Sequence, residues 1–370
     1  MRFIPDLGGA LPAIVAATIA AALIAFLLTP LVRLVARRLD VVDQPEQRRV
    51  NVRPIPRGGG LAVGAAFLTV ASVLVWLGDR SGIVGADEAI ETRQLVALLL
   101  GGAAAAALGA LDDYAQLRAR WQLAGQVALA LGAVWLGIGV GFVNNPFSPG
   151  VIRFDGLFAV GFTVLWIVGM MNSVNFIDGL DGLSSGVGLI AAATLGLISL
   201  TTVVGQPFVA VLCFTLAGAL LGFLRWNFHP ASIFVGTSGV MFIGYTLALL
   251  SILGTAKVAV ALLVLGVPII DTFWIIVRRL ASGRSPFTPD RGHIHHRLLD
   301  LGLSHRQTVL LIYAICLVLA GLTFVLSGTG QVYAFIGIVV VSGVALFVLT
   351  RRSLVAEELS AESYEDDPAR

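Results

Sequence analysis

The sequence predicts an all-α, polytopic membrane protein of about eleven transmembrane helices, with its N-terminus outside and its C-terminus in the cytoplasm. Three observations predict it. Hydrophobic residues make up 57% of the 370 residues and charged residues only 12%, with a mean hydropathy of +0.92; a soluble core of this size could not enclose that much apolar surface. The apolar residues come in repeated runs of about 17–25, the length a helix needs to cross about 30 Å of hydrocarbon. The basic residues fall mostly into alternate connections between those runs.

Taken in order, the spans read as residues 9–31, 60–78, 94–111, 121–141, 157–173, 184–204, 208–225, 233–253, 257–277, 307–327 and 332–350. The first lacks the basic start and small-residue cleavage site of a signal peptide and is long enough to span. Its connection to the second carries Arg33, Arg37, Arg38, Arg48, Arg49, Arg53 and Arg57. Arg118 and Arg120 follow in the third connection, and Arg225 in the seventh. Six arginines lie in the ninth and three in the tail, so nineteen basic residues share one side. The other side holds five: Arg2, Arg80, Arg93, Arg153 and Lys257. An excess of basic residues marks the cytoplasmic side. Residues 1–352 read as a single transmembrane domain, and 353–370, with "EELSAESYEDDPAR", as a disordered acidic tail. Cys213 and Cys316 lie inside apolar runs without metal or disulfide spacing, and read as small core residues.

Four polar clusters fall on the expected cytoplasmic side, which suggests one site assembled from several loops. "LDDY" ends the third span with Asp112 and Asp113. Helix-end carboxylates reaching water are the bland reading. However, acidic groups at a helix C-terminus oppose its dipole, and adjacent carboxylates repel unless a cation or a proton relieves them.

"NSVNFIDGLDG" joins the fifth and sixth spans and spaces Asn172, Asn175, Asp178 and Asp181 by three. A helix continued through Asn175 would line them along one face, and Gly179 and Gly182 allow a tight turn. Oxygen ligands of this kind suit a hard cation such as Mg²⁺, which keeps phosphate oxygens in its shell. The alternative is an asparagine-rich cap between helices.

"HIHHR" holds His293, His295, His296 and Arg297. Zinc is the rival reading, but the flanking Arg291 and Arg297 disfavour a cation, and histidines among arginines suit phosphate oxygens. His229 and His305 have no such company and read as structural. "RPIPRGGG" lacks the lysine–serine ending of a P-loop. It reads as a pre-helix turn, with Arg49, Arg53 and Arg57 facing anionic lipid.

On these residues the chain resembles the polyprenyl-phosphate N-acetylhexosamine-1-phosphate transferases, relatives of the bacterial phospho-N-acetylmuramoyl-pentapeptide transferase. The likeness runs from "DQPEQRRVNVRPIPRGGG" to "HIHHRLLDLGLSHRQTVLLIY" and rests most on the paired aspartates, "NxxNxxDGxDG" and "HIHH". It implies transfer of a sugar-1-phosphate, N-acetylglucosamine-1-phosphate for preference, from a UDP-N-acetylhexosamine to undecaprenyl phosphate, with UMP released. That reaction opens cell-envelope polysaccharide synthesis at the bacterial cytoplasmic membrane, with the site on the cytoplasmic face.

The resemblance further implies dependence on Mg²⁺, with Mn²⁺ as an alternative, and ten or eleven membrane helices. Asp112 would take a proton from the lipid phosphate or act as nucleophile, with Asp113 beside it. Asn175 and Asp113 would serve the metal. Asn172, Asp178 and Asp181 would shape the nucleotide side, and His293, His295, His296 and Arg297 would contact diphosphate or sugar. The bilayer is the expected environment, a homodimer is left open, and no nucleic-acid partner is expected.

Two positions depart from the family pattern. Thr237 stands where a "GDxGS" motif usually has its metal-binding aspartate, and Asn51 where a histidine is usual. Two other readings compete with the transferase: a catalytically impaired homologue that binds nucleotide sugar or polyprenyl phosphate, and a lipid flippase or transporter. The last would place polar groups mid-span in paired broken helices, whereas here they gather at span ends.

Overall fold

The computed structural model describes residues 3–4, 7–44, 54–81, 90–145, 150–253, 258–281, 283, 293–326, 329–341 and 343–344. Asn51, Arg49, Arg53, Arg291 and the acidic tail lie outside these residues. Helices dominate: α1 (Leu7–Arg38), α2 (Gly60–Ser81), α3 (Thr92–Ala115), α4 (Ala119–Trp135), α5 (Gly156–Ile177), α6 (Leu183–Ser199), α7 (Pro207–Asn227) and α8 (Gly236–Leu253). Beyond them come α9 (Val258–Val264), α10 (Gly266–Ala281), α11 (Ile294–Asp300), α12 (His305–Val325) and α13 (Thr329–Val341). Two short antiparallel pairs interrupt them. β1 (Val42–Asp43) pairs with β2 (Ile55–Pro56), and β3 (Phe142–Asn144) with β4 (Val151–Arg153).

The first ten expected spans fall mainly on helix, and the eleventh is helical at 332–341 and 343–344 with its remainder outside the described residues, but fewer helices are long enough to cross. Among the described residues seven qualify (α1, α2, α3, α5, α7, α8 and α12), and α9 with α10 makes an eighth if the pair is one span. The reasons for the shortfall are local. α4 stops after 17 residues because Gly137, at φ +88°, turns the chain, and the Ile138 N–H returns to the Ala133 carbonyl; this is a Schellman-type ending that satisfies the last carbonyls. α6 ends where Ser199 and Thr201 hydroxyls donate to the carbonyls of Leu195 and Ile198, competing with helix continuation. The expected ninth span is bent by 78° between Val264 and Gly266. Pro268 brings no N–H to the Val264 carbonyl and crowds it, and Gly266 adds backbone freedom.

α8 is the axis of the bundle. Of its 18-residue window 89% is buried, against 22% for α1 at the periphery. α1 rests on α7 through a close backbone seam. A Cβ at Gly218 or Gly222 would fall 2.9 Å from backbone atoms of Thr18 or Ala22, and Ala17, Ala21 and Ala25 are buried. Lipid tails are as apolar as leucine, so helices in a bilayer gain little by hiding apolar surface; small residues let them gain dispersion instead. At the end of this seam Trp226 donates to the Phe26 carbonyl and packs on its ring.

The run "PIPRGGG" is explained by strand-like pairing with the segment that leads into α8. Phe234 N–H donates to the Pro56 carbonyl, and the Gly59 and Gly60 N–H groups donate to Phe234 and Val235. Any side chain at Gly59 would meet the Phe223 ring and the Phe234 carbonyl. The glycines therefore serve the approach of two helix starts. Arg57 pairs with Asp43 and faces inward, which corrects its expected place toward lipid.

Candidate active site

A cavity of about 910 Å³ opens at one end of the bundle. It is built from the end of α1 with β1–β2, the end of α3, the α5–α6 turn, the α7–α8 connection, α11 and the start of α12. The four polar clusters meet at this end. Asp113, Asn175, Asp178, Asp181 and His296 line the cavity, joined by Arg37, Asp43, Arg57, His229, Thr237 and His305. Asp112, Asn172, His293, His295 and Arg297 do not line it.

The two adjacent aspartates do different things. Asp112 accepts from Leu117 N–H (2.9 Å) and Gln122 Nε2 (2.6 Å), so its carboxylate fastens the α3–α4 turn. Asp113 turns into the cavity wall and accepts from Thr237 N–H (2.8 Å) and Ser238 N–H (3.0 Å). Those donors belong to the first turn of α8, where a helix favours an anion. The anion here is internal: a carboxylate already fills the place that a phosphate would take.

The "DGLDG" turn follows the end of α5. Asn172 stays within the helix bundle, donating to Gln126 (2.6 Å) and to the Val168 carbonyl (2.8 Å), whereas Asn175, one turn on, reaches the cavity. Asp178 accepts from the Ser184 hydroxyl. The residue keeps some surface open, yet packing around its carboxyl is dense. Burial pushes that carboxyl up to about 7, with the charges of Asp113 and Asp181 adding to the rise and Ser184 and Arg57 opposing it.

Asp181 accepts from Ala231 N–H (3.0 Å) and pairs with His229 Nδ1 (2.7 Å), and its own N–H donates to His305 Nε2 (2.9 Å). Gly182, at φ +82°, starts α6, and its carbonyl accepts from Tyr313 Oη of α12.

The "HIHH" segment is clamped from behind. Asp271 of α10, 1% exposed, bonds His293 Nδ1 (2.8 Å) and accepts from Ile294 N–H (2.9 Å), which caps α11. His295 is buried against Gly179, where a Cβ would lie 2.7 Å from the imidazole Cε1. Burial holds His295 well below the usual histidine range, and its neighbours His296 and His293 push the same way. Only His296 of the three reaches the cavity. Sequence reading passed over Asp271, although an aspartate inside an apolar run was a usable signal. It also passed over the cavity roles of His229 and His305, which stand alone in the sequence and meet Asp181 only in three dimensions.

The donors Asp113, Asn175, Asp178 and Thr237 are all oxygens, save the amide nitrogen of Asn175, and two are carboxylates, of which Asp178 is raised by burial and further by the charge of Asp113. Such a set fits a hard divalent cation such as Mg²⁺.

Residues 95–255 match the model of glycosyl transferase family 4. The chain is 38% identical over 309 residues to the probable undecaprenyl-phosphate N-acetylglucosaminyl 1-phosphate transferase of Bacillus subtilis, covering 82% of each. It is 37% identical over 366 residues to the decaprenyl-phosphate N-acetylglucosaminephosphotransferase of Mycobacterium tuberculosis, covering 90% of this chain and 88% of that one. With the undecaprenyl-phosphate alpha-N-acetylglucosaminyl 1-phosphate transferase of Thermotoga maritima it shares 31% over 321 residues, 86% and 92% of the two chains.

Proposed function

The chain belongs to glycosyl transferase family 4, and on that footing we propose that it moves N-acetylglucosamine-1-phosphate from UDP-N-acetylglucosamine to undecaprenyl phosphate. An oxygen of the lipid phosphate forms a bond to the phosphorus that carries the sugar. The bond from that phosphorus to the UMP oxygen breaks, and UMP leaves with the electron pair. The observation that carries the reading is the convergence of Asp113, Asn175, Asp178 and Asp181 with Arg37 and Arg57 on one cavity at the end of a membrane-sized bundle.

Phosphoryl transfer asks a protein mainly for positioning and for charge neutralisation. Mg²⁺ supplies the neutralisation when bound, and Asp113, Asn175 and Asp178 would hold it, with Thr237 offering a hydroxyl in place of the usual carboxylate. Asp113 is kept in place by the amides of α8. Asp178, raised to about 7 by burial while no ion is bound, becomes a carboxylate when it takes the metal. Asp112, the candidate acceptor of the lipid phosphate's proton, holds Leu117 N–H and Gln122 Nε2 on Oδ1, and it would act from beside the cavity lining. Arg37, Arg57 and His296 face the diphosphate, and Asp181 the nucleotide side. His293, His295 and Arg297 act on this cavity by placing α11, and Asn172 by fixing α5 to α4. Basic connections gather at the cavity end, which supports a cytoplasmic opening in the bacterial inner membrane.

The test is UMP release by purified protein given UDP-N-acetylglucosamine and undecaprenyl phosphate, with Mg²⁺ or with chelator. Release that requires both substrates and the metal is the expected result. If no UDP-hexosamine releases UMP while a working relative does so in parallel, the chain binds its ligands without turning them over.

A further inference from the structure

We propose that Asp181, His229 and His305 form a second cation site, chemically distinct from the oxygen cluster around Asp113, that takes a borderline transition ion of the Zn²⁺ class. The three residues come from three elements: the α5–α6 turn, the α7–α8 connection and the first turn of α12. One ligand atom of each lies within 4.8 Å of the other two. Two imidazoles and a carboxylate are a donor set that Zn²⁺ accepts and Mg²⁺ does not favour.

The local geometry prepares the donors. Asp181 N–H donates to His305 Nε2, so that nitrogen carries no proton and presents a lone pair. His229 Nδ1 and Asp181 Oδ2 already stand 2.7 Å apart. The two imidazole rings stack at 4.1 Å with 21° between their planes, which sets both beside the Asp181 carboxylate. Ligands about 2.0 Å from a tetrahedral ion are about 3.3 Å from each other. The Asp181–His229 pair therefore widens slightly on binding. His305 Nε2 gives up its bond from Asp181 N–H to reach the ion. Arg306, which donates to the His229 carbonyl, opposes a cation here; the carboxylates of Asp181 and Asp178 offset it. The fourth position faces the cavity and is open to water or a phosphate oxygen. An ion so placed ties α12 to both loops, so it stabilises the fold by linkage.

The site is tested without turnover, by Zn²⁺ alone on the full chain in detergent, with a chromophoric chelator in competition and metal counted per chain. One Zn²⁺ per chain is expected, retained in excess Mg²⁺ and raising the thermal unfolding midpoint. His229→Gln and His305→Gln should each weaken it about tenfold or more, and His296→Gln should leave it unchanged. A Zn²⁺ affinity lost only in His296→Gln, full displacement by Mg²⁺, or no retention of Zn²⁺ by the wild type would overturn the assignment. Should either glutamine variant not fold, Co²⁺ in the wild type decides. Intense visible bands of a four-coordinate nitrogen–oxygen site support the proposal, and the pale spectrum of an octahedral oxygen site refutes it.

Discussion

Asp178→Asn should stabilise the metal-free protein at high pH while removing the transfer activity. The carboxyl of Asp178 ordinarily titrates at 3.8, and burial raises it to about 7. Above about pH 4 the unfolded chain has lost this proton, whereas the folded protein keeps it to about pH 7. Stability from this group is therefore complete at low pH and is lost as pH climbs from about 4 to about 7. At ~1.36 kcal/mol for each tenfold change in proton affinity, the loss is at most about 4 kcal/mol. Asparagine keeps the size and an acceptor for Ser184 but has no charge to bury, so the variant escapes that loss. The assay is thermal unfolding in detergent with chelator between pH 5 and 8. The wild-type midpoint should fall by several degrees more than that of the variant. Mg²⁺ at pH 8 should restore the wild type and leave the variant unmoved, and UMP release should drop about a hundredfold or more. Parallel pH slopes in the two proteins would refute the burial argument.

Three further outcomes follow from the same geometry. Thr237→Asp brings a second carboxylate to Asp113, so it should lower the midpoint in chelator and lower the Mg²⁺ concentration for half-maximal UMP release; unchanged values for both count against the oxygen cluster. Asp271→Asn leaves one of the two groups at the start of α11 poorly met, and should cost about 1–3 kcal/mol and reduce kcat/KM for the UDP-sugar. Gly179→Ala drives a methyl into His295 and should cost about 1–3 kcal/mol, whereas Gly161→Ala, with nothing within 4 Å of its Cβ, should cost nothing measurable.

Local rules made the helices legible, because a run of apolar residues must satisfy its backbone internally wherever it crosses lipid. Their ends were harder to read. The break before Gly266 was written in Pro268, yet the surrounding residues are so apolar that composition outweighed one proline. Within the cavity, Asp112 and Asp113 are indistinguishable by type and nearly by position. What separates them is a rotation of about 100° around α3 and the arrival of α8, whose amides come from more than a hundred residues later. His229 and His305 were opaque for the same reason: a lone histidine acquires chemistry only from what the fold sets beside it. Gly59 and Gly60 read as part of a pre-helix turn, but the helix start they approach was not legible, because close backbone approach to any partner demands the same residue.

The seam between α1 and α7 also has a meaning in time. α1 is made before α7, and the face it turns to Gly218 and Gly222 lacks that partner until α7 exists. At about 5–20 residues per second, the chain between Arg38 and Pro207 takes on the order of ten seconds to synthesise. Through that interval the alanines of α1 meet lipid, which costs them nothing because they carry no polar group to satisfy. Arg37, at the far end of the same helix, reaches the cavity wall only when the seam closes. A helix able to wait in the bilayer thus sets when the pocket becomes whole.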